Sequence, residues 1–243
     1  MRREADFSLP RVMGAWLLLL PGVVAFQPVF GGAGGYLPAL VGITAGIVIP
    51  LLAARFRWGV ALWFAAILAA YLLLGGPLAV PETTIGGFIP TLDTLARLVQ
   101  LVYQGWYDVL TVAPPAGDLS GPQAAPLLGG ILFAVALAGI VRFTRAVVWP
   151  MLLPVGWLAL GIAFGIRQTT TALWLGVVLG AELLAWATAH RISRVSAANA
   201  EFLVRQPRGL SRRAWQAVSA SLVVTLASGA ALGVNALSSQ DIN

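Results

Sequence analysis

Seven apolar stretches divide the 243-residue chain, and each approaches the length of a membrane-spanning segment. The hydrocarbon layer of a bilayer is about 30 Å thick, so a spanning helix needs about 20 mainly apolar residues. Such segments fold as helices because hydrocarbon offers the backbone no hydrogen-bond partners. The predicted spans are residues 12–30, 36–54, 58–76, 126–141, 146–166, 169–189 and 214–236. We therefore predict an all-α polytopic membrane helix bundle that forms one transmembrane domain over residues 1–243.

The arginines predict the orientation of this bundle. All fifteen basic residues are arginines, as is typical of a GC-rich bacterial genome. Thirteen of them fall on one side of the predicted membrane: Arg2, Arg3, Arg11, Arg55, Arg57, Arg142, Arg145, Arg191, Arg194, Arg205, Arg208, Arg212 and Arg213. Only Arg97 and Arg167 fall on the other. The positive-inside rule then places the N-terminus in the cytoplasm and the C-terminus outside. Since the charge lies at span ends, it favours a topology signal over nucleic-acid binding.

The longest connection, residues 77–125, is therefore an outer loop, and the inner basic loop spans residues 190–213. Within the outer loop, residues 91–110 carry apolar side chains at three- and four-residue steps, with polar residues on other faces. This spacing predicts an amphipathic helix. Trp106 and its tyrosine neighbours suit the headgroup region, so we expect the helix to lie along the outer membrane interface. A helix packed on an adjoining soluble domain is the alternative.

Glu182 is the only acid well inside a predicted span. A carboxylate in hydrocarbon is costly, so it is usually paired, protonated or functional. Trp186 and His190 follow at four-residue steps on nearly the same face. Two interpretations stay open: a neutral Glu182 hydrogen-bonded between helices, or an intramembrane functional group with His190 nearby.

The chain has one histidine and no cysteine. Zinc sites need several ligands at set spacing, and a serine nucleophile needs a base beside it. We therefore expect no metal, no cofactor and no enzymatic activity from these residues.

The stretch "GWYDVLTVAPPAGD" at residues 105–118 resembles a segment of actinobacterial transglutaminase-like (TgpA-type) integral membrane proteins. The residues that carry the resemblance are Gly105, Asp108, Leu110, Thr111, Pro114 and Pro115. In that family a bundle of spans precedes an outer transglutaminase-like domain with a cysteine, a histidine and an acid. This chain lacks the cysteine, so the resemblance implies only the membrane region, without the transglutaminase domain.

The favoured function is a non-catalytic membrane anchor or scaffold of the bacterial plasma membrane, in contact with lipids and with an outer domain or protein partner. Its expected docking loop comprises Gly105, Trp106, Asp108, Leu110, Thr111, Pro114, Pro115 and Asp118. The alternative is a small transporter or permease subunit with Glu182 as its coupling group. An intramembrane enzyme acting on lipid-linked substrates is a third reading, disfavoured by the lack of paired acids or a base.

Overall fold

The computed structural model describes residues 9–30, 33–111, 120–143, 148–164 and 169–200. The helices are α1 (Leu9–Leu18), α2 (Leu20–Ala25), α3 (Gln27–Phe30), α4 (Ala33–Phe56), α5 (Val60–Ala79), α6 (Leu92–Thr111), α7 (Ala124–Phe143), α8 (Val148–Ala163) and α9 (Thr169–Ala200). A 3₁₀ turn (Pro81–Thr83) and strands β1 (Thr84–Ile85) and β2 (Ile89–Pro90) connect α5 to α6. Helices thus occupy each predicted span that falls within the described residues. The predicted span 214–236 lies outside them.

Five helical stretches of the described chain are long and apolar enough to cross a membrane: Arg11–Phe30, Tyr36–Phe56, Val60–Ala79, Ala124–Arg142 and Thr171–His190. The apolar helix α8 has 16 residues. At 1.5 Å per residue it covers about 24 Å. The chain is therefore a multi-pass membrane protein by the length and composition of its helices.

The first span is not one continuous helix. Helix geometry is interrupted at Leu19 and again at Phe26, between α1, α2 and α3. Pro21 stands in the first turn of α2. A proline has no N–H for the preceding turn, and its ring clashes with the carbonyl four residues earlier. The interruption at Leu19 therefore lets the Pro21 ring occupy the first turn of a new helix, where it causes no clash.

Helices α4 and α7 form the centre of the bundle in the unit Met1–Arg167. A Cβ at Gly46 would lie 2.6 Å from the Ile131 carbonyl oxygen and 2.7 Å from the Ala134 Cβ. A Cβ at Gly42 would likewise lie too close to the Leu127 carbonyl oxygen. In hydrocarbon, small residues let two helix backbones approach and pack.

The contacts also show that α4 and α7 run parallel, because the partner residues on α7 advance as those on α4 do. Arg55 and Arg142, each in the last turn of its helix, therefore lie at the same end of the bundle. If successive spans alternate in direction, the second and fourth spans must run parallel, and both arginines then lie on one side of the membrane.

Two buried clusters flank this pair. One gathers side chains of α1 to α4, α7 and α8, including Phe26, Ile43 and Trp157. The other joins α5 and α6 to α4 and α7 through Tyr71, Leu98 and other side chains. Helix α5 leaves much of its length exposed, as a span that faces lipid would.

Helix α9 belongs to the second unit, Gln168–Asn243. It continues past the predicted end of the span at Ala189 and reaches Ala200. The first part of the predicted inner loop 190–213 is therefore helical. Within the span, one face of α9 is buried at steps of three and four residues: Val178, Leu179, Glu182, Trp186 and Ala189.

We expect Gly46→Ala to destabilise the bundle, because its methyl group has no room between α4 and α7. Overpacking of this kind costs about 1–3 kcal/mol. The matched control is Gly139→Ala on α7, where a Cβ meets no atom within 4 Å. Unfolding in mixed micelles, followed by circular dichroism, measures both. An equal loss for the two variants would contradict the close α4–α7 contact.

Candidate functional site

A short hairpin follows the third span directly, between α5 and α6. Strands β1 and β2 pair antiparallel with Ile85 opposite Ile89. Gly86 and Gly87 form the turn with φ of 64° and 81°. Positive φ at both central positions suits a tight hairpin turn, and glycine adopts it without strain. Phe88 lies at the tip and is 77% exposed.

Three threonines join this hairpin to the start of α6. The Thr91 hydroxyl accepts a hydrogen bond from the Thr94 N–H at 3.2 Å, and the Thr94 hydroxyl accepts one from the Thr91 N–H at 3.1 Å. This reciprocal pair caps the helix in the manner of a capping box. Thr94 also donates to the Thr83 carbonyl oxygen at 2.6 Å, and Thr91 donates to the same oxygen at 2.8 Å. The hairpin and the helix start therefore form one hydrogen-bonded piece.

Helix α6 packs against the end of α5 in a notch of two glycines. The Tyr71 hydroxyl donates a buried hydrogen bond of 2.9 Å to the Leu98 carbonyl oxygen. A Cβ at Gly75 would lie 2.8 Å from the Leu98 side chain, and one at Gly76 would lie 3.4 Å from that of Thr94. Without side chains at these two positions α6 reaches the surface of α5, and the tyrosine holds it there.

The C-terminal half of α6 is held by an aromatic cluster. The Trp106 ring lies 5.6 Å from that of Phe164, which lies 6.0 Å from Phe26. Trp157 continues the cluster, at 4.9 Å from Phe26 and 5.3 Å from Phe133. Tilted rings at such distances attract one another beyond simple burial. Trp106 therefore fixes α6 to the bundle.

These contacts divide the surface of α6 into three faces. The packed face, which is buried against the bundle, comprises Thr94, Leu98, Leu101 and Gly105. The apolar face, which is exposed, comprises Leu92, Val99, Val102 and Tyr103. The polar face, also exposed, comprises Asp93, Arg97, Gln100 and Gln104. At 3.6 residues per turn the apolar and polar faces lie on opposite sides of the helix, with the packed face between them.

The amphipathic helix predicted for residues 91–110 is thus present as α6, but the packing differs from the sequence pattern. In the apolar stripe through Val99, Val102 and Trp106, the two valines are exposed and Trp106 is half-buried. The fully buried side chains, Leu98 and Leu101, lie on a neighbouring stripe. The stripe of Leu98 and Leu101 packs against the bundle because Gly105 and Thr94 extend it with small side chains that allow close approach.

Five of the residues predicted as a docking loop fall within the described part of the chain, at the C-terminal end of α6. Gly105 is buried beside Ala124 and Ala125 at the start of α7, and Trp106 is half-buried in the aromatic cluster. Asp108 is half-buried, Leu110 lies in the last turn of α6, and Thr111 is exposed, with its hydroxyl donating to the Tyr107 carbonyl oxygen at 2.8 Å. Pro114, Pro115 and Asp118 lie outside the described residues.

Glu182 is 2% exposed on the buried face of α9. Neither carboxyl oxygen has a hydrogen-bond partner among the residues that the structure describes. The Trp186 and His190 rings stack at 6.4 Å, as expected for one face of a helix. The described residues contain no group of three or more His, Cys, Asp or Glu side chains that could hold a metal ion.

Sequence reasoning missed the hairpin, the threonine cluster and the role of Tyr71. The glycine pair "GG" between Ile85 and Phe88 was the available turn signal. "TLDT" before an amphipathic run was the signal for the cap. Tyr71 carries no such signal, because its partner is a backbone oxygen far along the chain.

Comparisons of this chain with protein families, with curated proteins and with solved structures find no match.

We expect Tyr71→Phe to loosen α6 by removing its buried hydrogen bond to Leu98. One such bond contributes about 1 kcal/mol to the free energy of unfolding. Hydrogen exchange of residues 92–107 should accelerate, by roughly five-fold at that energy. Tyr103→Phe, on the exposed apolar face, is the control and should leave exchange unchanged. Unaltered exchange in Tyr71→Phe would show that this bond does not hold the helix.

Proposed function

We propose that the chain is a non-catalytic membrane module that presents an outer docking surface to an extracytoplasmic domain or protein partner. The observation that carries this proposal is the rigid attachment of α6 across the bundle, with its polar face left exposed. A connection that served only to join two spans would need neither the buried Tyr71 bond nor the Trp106 cluster.

The polar face suits recognition of another protein. It carries Asp93 and Arg97 with Gln100 and Gln104 on the following turns, all exposed. Charged and amide side chains give specificity through directed hydrogen bonds. Because the helix is held on its packed face, its backbone is fixed before a partner binds, which lowers the entropic cost of association.

The arginine distribution and the parallel direction of α4 and α7 support an outer position for this surface. From the positive-inside rule we infer a cytoplasmic N-terminus, with α6 on the opposite side of the membrane. The resemblance to transglutaminase-like (TgpA-type) membrane proteins supports the same arrangement, in which a bundle carries an outer domain in cell-envelope work. We assign no catalytic role to this chain, because it has no cysteine and only one histidine.

Site-specific photocrosslinking tests the docking surface. With benzoylphenylalanine at Gln100, on the polar face, we expect a discrete protein adduct in native membranes, identified by mass spectrometry. The adjacent residue Val99, on the apolar face, is the matched control and should yield lipid adducts only. Lipid adducts alone from both positions would contradict a protein-docking role for the polar face.

The buried carboxyl group of Glu182 favours a second candidate, a small transporter or permease subunit. An unpaired carboxylate is unfavourable in a low-dielectric environment, and intramembrane acids often belong to proton or ion pathways. Protonation of Glu182 from one side of the membrane and its deprotonation toward the other would carry protons across.

Proton flux through proteoliposomes separates the two candidates. If the chain is a docking module, a potassium diffusion potential should drive no more internal acidification with the wild type than in protein-free vesicles. Glu182→Gln and the exposed control Glu82→Gln should then behave identically. A flux that the wild type and Glu82→Gln share, and that Glu182→Gln loses, would favour the transporter.

A further inference from the structure

The hairpin between α5 and α6 carries an apolar surface that none of the preceding roles uses. Its seven residues 84–90, "TIGGFIP", include no charged side chain. Ile85, Phe88 and Ile89 are all exposed. A hairpin that projected into water would ordinarily carry polar side chains at these positions.

The hairpin lies beside the last turns of the third span. A Cβ at Gly76 would lie 3.1 Å from the Thr84 side chain and 3.7 Å from that of Pro90. Gly76 lies one turn before α5 ends at Ala79. A helix of 20 residues is about 30 Å long, close to the thickness of the hydrocarbon layer. The hairpin therefore lies level with the edge of that layer.

Strand geometry sets the direction of the apolar side chains. Successive residues of a strand point to opposite faces. Since Thr84 and Pro90 face α5, their neighbours Ile85 and Ile89, which oppose each other in the register, face away from the protein. The threonine cluster fixes this orientation through Thr83 and Thr94.

The same surface continues along α6. Leu92 is 84% exposed and follows the hairpin directly, and Val99 and Val102 extend the apolar face along the helix. Helix α5, beside which the hairpin lies, also exposes apolar side chains along its length, including Leu68 and Leu73. The polar face of α6 lies on the opposite side of the helix.

We infer that the hairpin tip and the apolar face of α6 insert together into the leaflet where α5 ends, the outer leaflet in the predicted topology. The insertion surface comprises Ile85, Phe88, Ile89, Leu92, Val99 and Val102. Its occupant is lipid acyl chain, because the hairpin lies beside the end of an exposed apolar span and the surface carries no charge. A helix with opposed apolar and polar faces lies in the interface in this way. Insertion sets the height of the polar face above the membrane, whether or not a partner binds there.

Single spin labels test the inference, and the absence of native cysteines makes each label unique. Phe88→Cys and Val99→Cys report the insertion surface in nanodiscs of phosphatidylethanolamine and phosphatidylglycerol. Leu68→Cys on α5 is the hydrocarbon control, and Gln100→Cys is the aqueous control. Collision rates with oxygen and with a water-soluble nickel chelate give the depth of each label.

We expect the labels at Phe88 and Val99 to favour oxygen over nickel, with depths between those of the two controls. Nickel accessibility at Phe88 equal to that at Gln100 would place the hairpin in water and overturn the inference. Shielding of Phe88 from both reagents would also overturn it, because a second copy or another protein would then cover the surface. Neither result decides the proposed docking function, because the crosslinking test at Gln100 reports on the polar face alone.

Discussion

The close contact between the backbones of α4 and α7 is the interaction on which the rest of the unit Met1–Arg167 depends. Lipid supplies no hydrophobic force between spans, so helix association relies on close packing, which small residues at the contact allow. Gly42 and Gly46 meet Gly130 and Ala134 at a separation that would exclude any larger side chain. The other elements of the unit Met1–Arg167 pack on the two sides of this pair. Both buried clusters include its side chains.

Helix α6 follows the same physical rule on a smaller scale. It reaches α5 at Gly75 and Gly76, and Gly105 lies against the start of α7. Directional contacts then fix it: the Tyr71 hydrogen bond near its middle and the Trp106 ring toward its end. A helix held in this way offers its remaining faces to two different surroundings. The apolar face and the hairpin suit lipid, whereas the polar face suits water or a protein.

Much of this architecture could be predicted because membrane spans leave a strong signal in composition. The predicted spans within the described residues are helical, and the outer helix predicted at 91–110 is Leu92–Thr111. Boundaries were less predictable. The span 12–30 is interrupted at Leu19 and Phe26, and α9 continues past Ala189. Apolar content predicts where a span lies. It does not predict where the helix is interrupted within the span, or how far the helix continues into polar sequence.

The docking role of the candidate site stays a prediction, and the structure adds what two of its residues contact. Gly105 and Trp106 were selected as docking residues by their motif, and in the structure Gly105 lies beside the start of α7 and Trp106 beside Phe164. Periodicity identifies the apolar positions on a helix, but it does not predict which of two apolar stripes packs against the bundle.

The sequence by itself determined that the chain crosses a membrane several times, which side its arginines favour, and that an amphipathic helix follows the third span. These properties depend on local composition, because hydrocarbon requires long apolar helices and charge bias sets their orientation. Only the tertiary structure decided which face of α6 packs and which stays open, and where the hairpin tip points. Those outcomes depend on a tyrosine and two glycines of α5 that meet their partners on α6 only when the bundle is assembled.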